Sequence, residues 1–258
     1  MKALNESLQI NAIDSNDHFL KLKMAYQMVG NRTWLDKDFA LSNLDSSRNL
    51  FLPESLALRL PKPKALEVYA LLSGLSFEQD FCKKLTLVQA RISDVLRGRL
   101  HYWVLPNNFG LEYCVFKWPE EDWSEHNLQI IKNYLSTIPI QSFKFHIVGI
   151  QINPDGCVVA KGYDEGAQLF RLRALLKDGL PFLPERQSAW AHIPLGRILE
   201  PLGVGGFENL KRLIHEISES PICSVNVDTI KIIHETRWYM EERSTLAEYQ
   251  LPNNKKQV

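Results

Sequence analysis

Two short apolar segments eighty positions apart constrain this chain more than any other feature: Gly110-Leu-Glu112-Tyr-Cys114-Val-Phe116 and Trp190-Ala-His192-Ile-Pro194-Leu-Gly196. Both have strand length and are bounded by turn residues. The same succession of elements follows each. After the first, Ser124 opens a helix with Leu128, Ile131, Tyr134, Leu135 and Ile138 on one face, and a strand follows over 143–152. After the second, a helix over 207–218 precedes a strand over 225–234. This repeat of elements predicts two similar α/β lobes, each giving one strand to a shared cleft.

The rest of the chain fills in around that pair. Residues 1 to about 50 are polar and uneven, and read as an N-terminal extension with one helix over 18–28 and a Ser/Asp/Asn loop over 43–49. The stretch 54–60 reads as a first strand ended by Pro61 and Pro63, and 64–74 as a short helix. The strongest helical pattern covers 76–98, where Phe77, Phe81, Leu85, Val88, Ile92, Val95 and Leu96 recur at helical steps. Ser76 and Gln79 fit a capping box there, and Gly98 supplies the stop. Strands over 143–152 and 157–162 are joined by the turn Asn153-Pro-Asp-Gly156. A helix is expected over 164–177, and an antiparallel return over 238–251 with its turn near Arg243 and Ser244. Residues 51–252 then make one bilobal domain, and 253–258 a disordered tail.

Composition narrows the function classes. The 258 residues are 45% apolar and 23% charged, the proportions of a soluble globular protein. Thirty basic and thirty acidic side chains cancel, which argues against a protein that wraps long duplex nucleic acid. Met1 to Asp14 lacks the features of a signal peptide, and no apolar run approaches a membrane span, so the cytoplasm is the expected location. The four cysteines, Cys82, Cys114, Cys157 and Cys223, are too scattered for a zinc site and read as free thiols in a reducing compartment. No phosphate-binding glycine loop and no nucleophile elbow is present; Gly203-Val-Gly205-Gly206 opens a helix without the Lys-Ser/Thr of such a loop.

The run Tyr102-Trp103-Val104-Leu-Pro106-Asn-Asn, followed by Leu111-Glu112-Tyr113-Cys114, resembles the "Trp-Val-x-Pro, short loop, His-x-Thr-Leu" opening of the 2H phosphoesterases, the superfamily of LigT-like cyclic phosphodiesterases. His192-Ile-Pro194-Leu195 resembles the family's second His-x-Thr-Leu. The resemblance runs from about residue 54 to 252 in order and spacing, with both tetrapeptides eroded. It implies an α+β, bilobal 2H phosphoesterase-like fold: two antiparallel-sheet lobes with outer helices around a central cleft. It also implies chemistry on 2′,3′-cyclic phosphates without a metal or other cofactor. One imidazole acts as base, the other protonates the leaving oxygen, and the motif hydroxyls hold the phosphate where charge gathers.

Within that frame the candidate catalytic residues are His192, Glu112 and His101. His192 shares a strand face with Pro194 and Gly196 and either lines the cleft or caps the core edge. Glu112 and Cys114 take the first His and hydroxyl positions, unless the register is one off and Tyr113 faces the cleft. Pro194 cannot donate a hydrogen bond to phosphate. His101 is an alternative imidazole on the neighbouring strand. Candidate binding residues are Cys114, Trp103, Trp190, Arg197 and Arg237. Arg237 serves either as a phosphate ligand or as a strand-end ion pair, and Arg171 and Arg173 read as a solvated helix face. Trp118, Trp123 and Trp238 are further aromatics, either stacking platforms or core.

Two functions follow. One is a divergent phosphodiesterase acting on an RNA end or small cyclic nucleotide, with His192 as general acid or base. The other is an inactive binding module that holds a phosphorylated nucleotide, an RNA end or a protein partner, with the N-terminal extension covering the cleft or forming an interface.

Overall fold

The computed structural model describes residues 15–253. The reading of the first fourteen residues, and of the tail beyond Asn253, lies outside the described residues. Nine strands form two antiparallel sheets among the described residues, ordered β3-β1-β8-β9 and β2-β6-β5-β4-β7. In the first sheet β1 is Ala65–Gly74, β3 Gly110–Lys117, β8 Thr229–Arg237 and β9 Glu242–Gln250. In the second, β2 is His101–Trp103, β4 Phe143–Ile152, β5 Cys157–Asp164, β6 His192–Ile198 and β7 Pro221–Val227. Helices α1 (Ser15–Thr33), α4 (Gln79–Val95) and α7 (Val204–Ile217) pack against the five-stranded sheet. Helix α6 (Gln168–Gly179) packs on β3, and α5 (Glu125–Leu135) lies beside it, with the Tyr134 hydroxyl donating to the Leu175 carbonyl at 2.7 Å. The expected α+β bilobal architecture is the one observed.

Several expected elements change identity. Residues 65–74 form a strand, not a helix. β1 lies between β3 and β8 with Val68 to Ser73 buried throughout, so its apolar run does not alternate and is indistinguishable from a helical run by periodicity. Conversely, Pro53–Ala57 is a helical turn (α3) with Pro53 in its first turn, a position that suits proline, and not a strand. The expected loop at 43–49 is largely helix α2, Leu41–Arg48. Burial of Leu44 and Ser47 outweighs the weak helical propensity of its Ser, Asp and Asn residues. Helix α4 starts after Glu78, with no capping bond from Ser76. The stretch 225–234 divides at Asp228 between two sheets, and the last hairpin turns at Trp238–Met240, not at Arg243.

The described part of the extension belongs to the same core as the five-stranded sheet: Leu22, Tyr26, Phe39 and Leu44 are buried in it. Tyr26 donates its hydroxyl to the Ala191 carbonyl, and Thr33 Oγ1 donates to the Ile152 carbonyl at 2.7 Å. The outward side of α1 exposes Leu20, Met24 and Met28. Gly156 closes the β4–β5 turn at φ +81°, and a Cβ there would stand 2.3 Å from the Ile198 carbonyl oxygen. Both the conformation and the contact require glycine.

Candidate functional site

A cavity of about 400 Å³ lies between the sheets. β3 contributes Gly110 and Glu112, β6 contributes His192, Pro194 and Arg197, and β8 with its turn contributes Glu235, Trp238, Tyr239 and Met240. Trp118 and Arg186 complete one side.

Both cleft strands are bulged beside their site residues, and β3 has a second bulge at Phe116. On β3, Cys114 pairs with Leu71 and Glu112 with Leu72, so Tyr113 is an extra residue. On β6, Gly196 pairs with Val158 and Pro194 with Val159, so Leu195 is an extra residue. A bulge bends the strand and re-aims the side chains around it. Gly110 and Glu112 from β3 and His192 and Pro194 from β6 line the cavity.

The structure brings His192, Glu112 and Arg197 to one cavity with Trp118 and Trp238, and leaves His101, Cys114, Trp103, Trp190 and Arg237 outside its lining. Cys114 is buried in the core, because the bulge at Tyr113 breaks the alternation that would align it with Glu112. His101 lies on the edge strand β2, its Nδ1 2.7 Å from the Arg99 carbonyl oxygen and its ring against Trp103. Trp103 packs toward α4 and donates Nε1 to Ser93 Oγ at 2.6 Å. Trp190 packs against Tyr26 and meets the His192 ring edge-on. Arg237 is a strand-end ion pair, with Nε 2.8 Å from Glu242 Oε1 and Nη1 donating to the Pro63 carbonyl. The described part of the extension lines none of the cavity before Leu50. It touches the site through Ser47, whose Oγ accepts from Arg197 Nη1 at 2.8 Å.

Burial and neighbouring charges set the protonation states. His192 is pushed down to about 4 by burial, with Arg173 and Arg197 adding repulsion, so its imidazole is neutral at physiological pH. Its Nδ1 has no hydrogen-bond partner among the described residues. Glu112 is raised by burial, with Arg173 and Arg186 partly opposing the rise. Glu235 is pushed up to about 8 by burial and by the charge of Glu112, although the Met240 N–H donates to its Oε1 at 2.8 Å. Arg197 is held by Asp155 at 2.6 Å and by Tyr239, whose hydroxyl accepts from Nε at 2.7 Å.

Arg173 and Glu235 shape the site and were not among the expected site residues. Arg173 is not a solvated cation. Its Nε donates to the Tyr113 carbonyl at 2.8 Å, and its Nη2 donates to the carbonyls of Glu112 at 2.9 Å and Trp190 at 2.8 Å. It thus fastens the β3 backbone to the segment that leads into β6. Glu235 carries one legible signal: it falls two residues after Ile233 on a strand, so an acid continues a buried face. Trp118 and Trp238, read from the sequence as stacking platforms or core, meet with ring centroids 6.5 Å apart and Arg186 stacked 4.2 Å over Trp118, a pairing that no local pattern announces.

The two sheets, the outer helices and the cavity between the sheets define the 2H phosphoesterase fold. Among solved structures, TT0787 of Thermus thermophilus is similar at a TM-score of 0.53 and 14% identity, covering 73% of this chain and all (100%) of that one. LigT of E. coli in its apo form is similar at a TM-score of 0.52 and 12% identity, covering 74% of this chain and 100% of LigT. At these identities the likeness is one of fold. No protein-family model matches the chain, and no curated protein matches it in sequence.

Proposed function

We propose that this chain binds a phosphorylated nucleotide or nucleotide-ended RNA in the cavity without hydrolysing it. The observation that carries the proposal is that His192 is the single histidine lining the cavity among the described residues, with Gly110 and Glu112 as the lining residues of β3. Losing one imidazole of an acid–base pair costs about 10² to 10⁴ in rate. Pro194 at one expected hydroxyl position and the core-buried Cys114 at the other offer no donor to stabilise a charged transition state, each such donor being worth on the order of 10² or more. Ligand recognition needs neither imidazole. Arg186 and Arg197 are the cations that line the cavity, and the Trp118–Trp238 wall offers a stacking surface for a base. Structures of E. coli LigT with phosphate, ATP and 3′-AMP, each similar to this chain at a TM-score of 0.50, support a nucleotide as the ligand class.

A specific observation favours a second reading, a 2′,3′-cyclic phosphodiesterase. Near neutral pH the cavity holds an unprotonated His192 and a protonated Glu235, the states required of a general base and a general acid. The two readings separate on incubation with 2′,3′-cyclic nucleotides and with RNA ending in a cyclic phosphate. Binding without turnover is the expected result. Turnover abolished by both His192→Ala and Glu235→Gln would replace the first reading with the second.

A further inference from the structure

The polar groups of the cavity are unevenly matched to a phosphate. Two carboxyl groups, Glu112 and Glu235, and the neutral imidazole of His192 converge on it. Neither cation is a simple anion clamp: Arg197 is committed to Asp155, Ser47 and Tyr239, and Arg186 sits at an exposed edge over Trp118. The carboxyl of Glu112 receives no hydrogen bond from any described residue. Glu235 is protonated near neutral pH and accepts the Met240 N–H, so Glu112 is the acid without a donor that a phosphate inside would face, whereas a group rich in N–H donors would satisfy it. The walls offer apolar and aromatic contact to a ring: Leu72, Val104 and Met240 are apolar, and the Trp118 and Trp238 rings stand 6.5 Å apart at 43° to each other. A volume of about 400 Å³ lies at the lower end of the range for small-molecule sites, which suits one nucleoside rather than an oligonucleotide.

We infer that the cavity takes the base of its nucleotide and leaves the phosphate at the Arg186 edge, and that Glu112 selects a ring with adjacent N–H donors, guanine among the nucleobases. This rests on the nucleotide-binding reading and goes beyond it by naming the base. A carboxylate accepts both the ring N–H and the exocyclic amine of guanine in one plane. Adenine offers the amine alone, and uracil and hypoxanthine the ring N–H alone. A buried polar group built for a donor discriminates strongly against ligands lacking it, because the group is left unpaired.

The test is a panel of guanosine, inosine, adenosine, uridine, 5′-GMP and inorganic phosphate, titrated by calorimetry and by quenching of tryptophan fluorescence. Guanosine is expected to bind at least about tenfold more tightly than inosine or adenosine, with phosphate a poor competitor. Glu112→Gln is expected to lose that preference with no loss of melting temperature, since no described residue donates to the carboxyl and burial disfavours its charge. Equal binding of all bases, with competition by inorganic phosphate, would overturn the inference and leave nucleotide binding standing. Failure of every nucleoside and of 5′-GMP to bind would overturn both.

Discussion

The buried carboxyl of Glu235 makes the sharpest prediction, tested by Glu235→Gln. Glu235 is 4% exposed, and burial beside Glu112 moves its carboxyl from an ordinary 4.5 to about 8. The folded protein therefore holds a proton that the unfolded chain releases above 4.5. The stability associated with it is complete below pH 4.5 and is lost as the pH rises through about 8. At about 1.4 kcal/mol per pH unit the loss is on the order of 5 kcal/mol, a large part of a typical folding free energy. Gln keeps the oxygen that accepts the Met240 N–H and cannot ionise. Wild type and variant should therefore be within about 1 kcal/mol of each other near pH 4.5. The variant should be more stable by several kcal/mol at pH 9. Urea denaturation at intervals from pH 4.5 to 9 measures the difference. Parallel curves across that range would refute the reasoning, because they would mean that the carboxyl reaches solvent or a compensating cation.

Other substitutions probe the remaining parts of the site. His192 has the opposite sign: held near 4, it contributes stability above the unfolded value of 6.5 that is lost as the pH falls toward 4, so His192→Gln should flatten the acid side of the profile by about 3 kcal/mol. Arg173→Met leaves the carbonyls of Glu112, Tyr113 and Trp190 without their donor and should cost about 2–4 kcal/mol in denaturant unfolding, with weakened ligand binding as β3 and β6 lose their tie. Gly196→Ala would put a Cβ 2.2 Å from the Tyr102 carbonyl oxygen, so β2 must move; a loss of about 1–3 kcal/mol and faster amide exchange in β2 are expected.

What can be read in advance follows the range of the interactions involved. Ser124 as a cap, the Asn153–Gly156 turn and the apolar stripe of α4 are local, and each appears where its pattern falls. The run 65–74 reads as a helix because a strand covered on both faces carries no period of two. The division at Asp228 is invisible because apolar residues suited to a strand continue on both sides of it, and only the sheet each side joins separates them. At the site, counting along the strands aligns Glu112 with His192. Only the bulge at Tyr113, defined by the partner strand β1, leaves Glu112 on the cavity wall and turns Cys114 into the core.

The sequence by itself therefore determined the two-lobed order of elements and the pair of cleft strands, because periodicity and turn chemistry act within a few residues. It also determined the loss of the motif hydroxyls, which is a matter of residue identity. Only the tertiary structure decided that Glu235 joins Glu112 and His192, that Arg173 ties the two cleft strands, and that Trp118 meets Trp238. These pairings join residues far apart in the chain, and their energetics come from burial: the carboxyl of Glu235 and the imidazole of His192 are ordinary titrating groups until the sheets close over them.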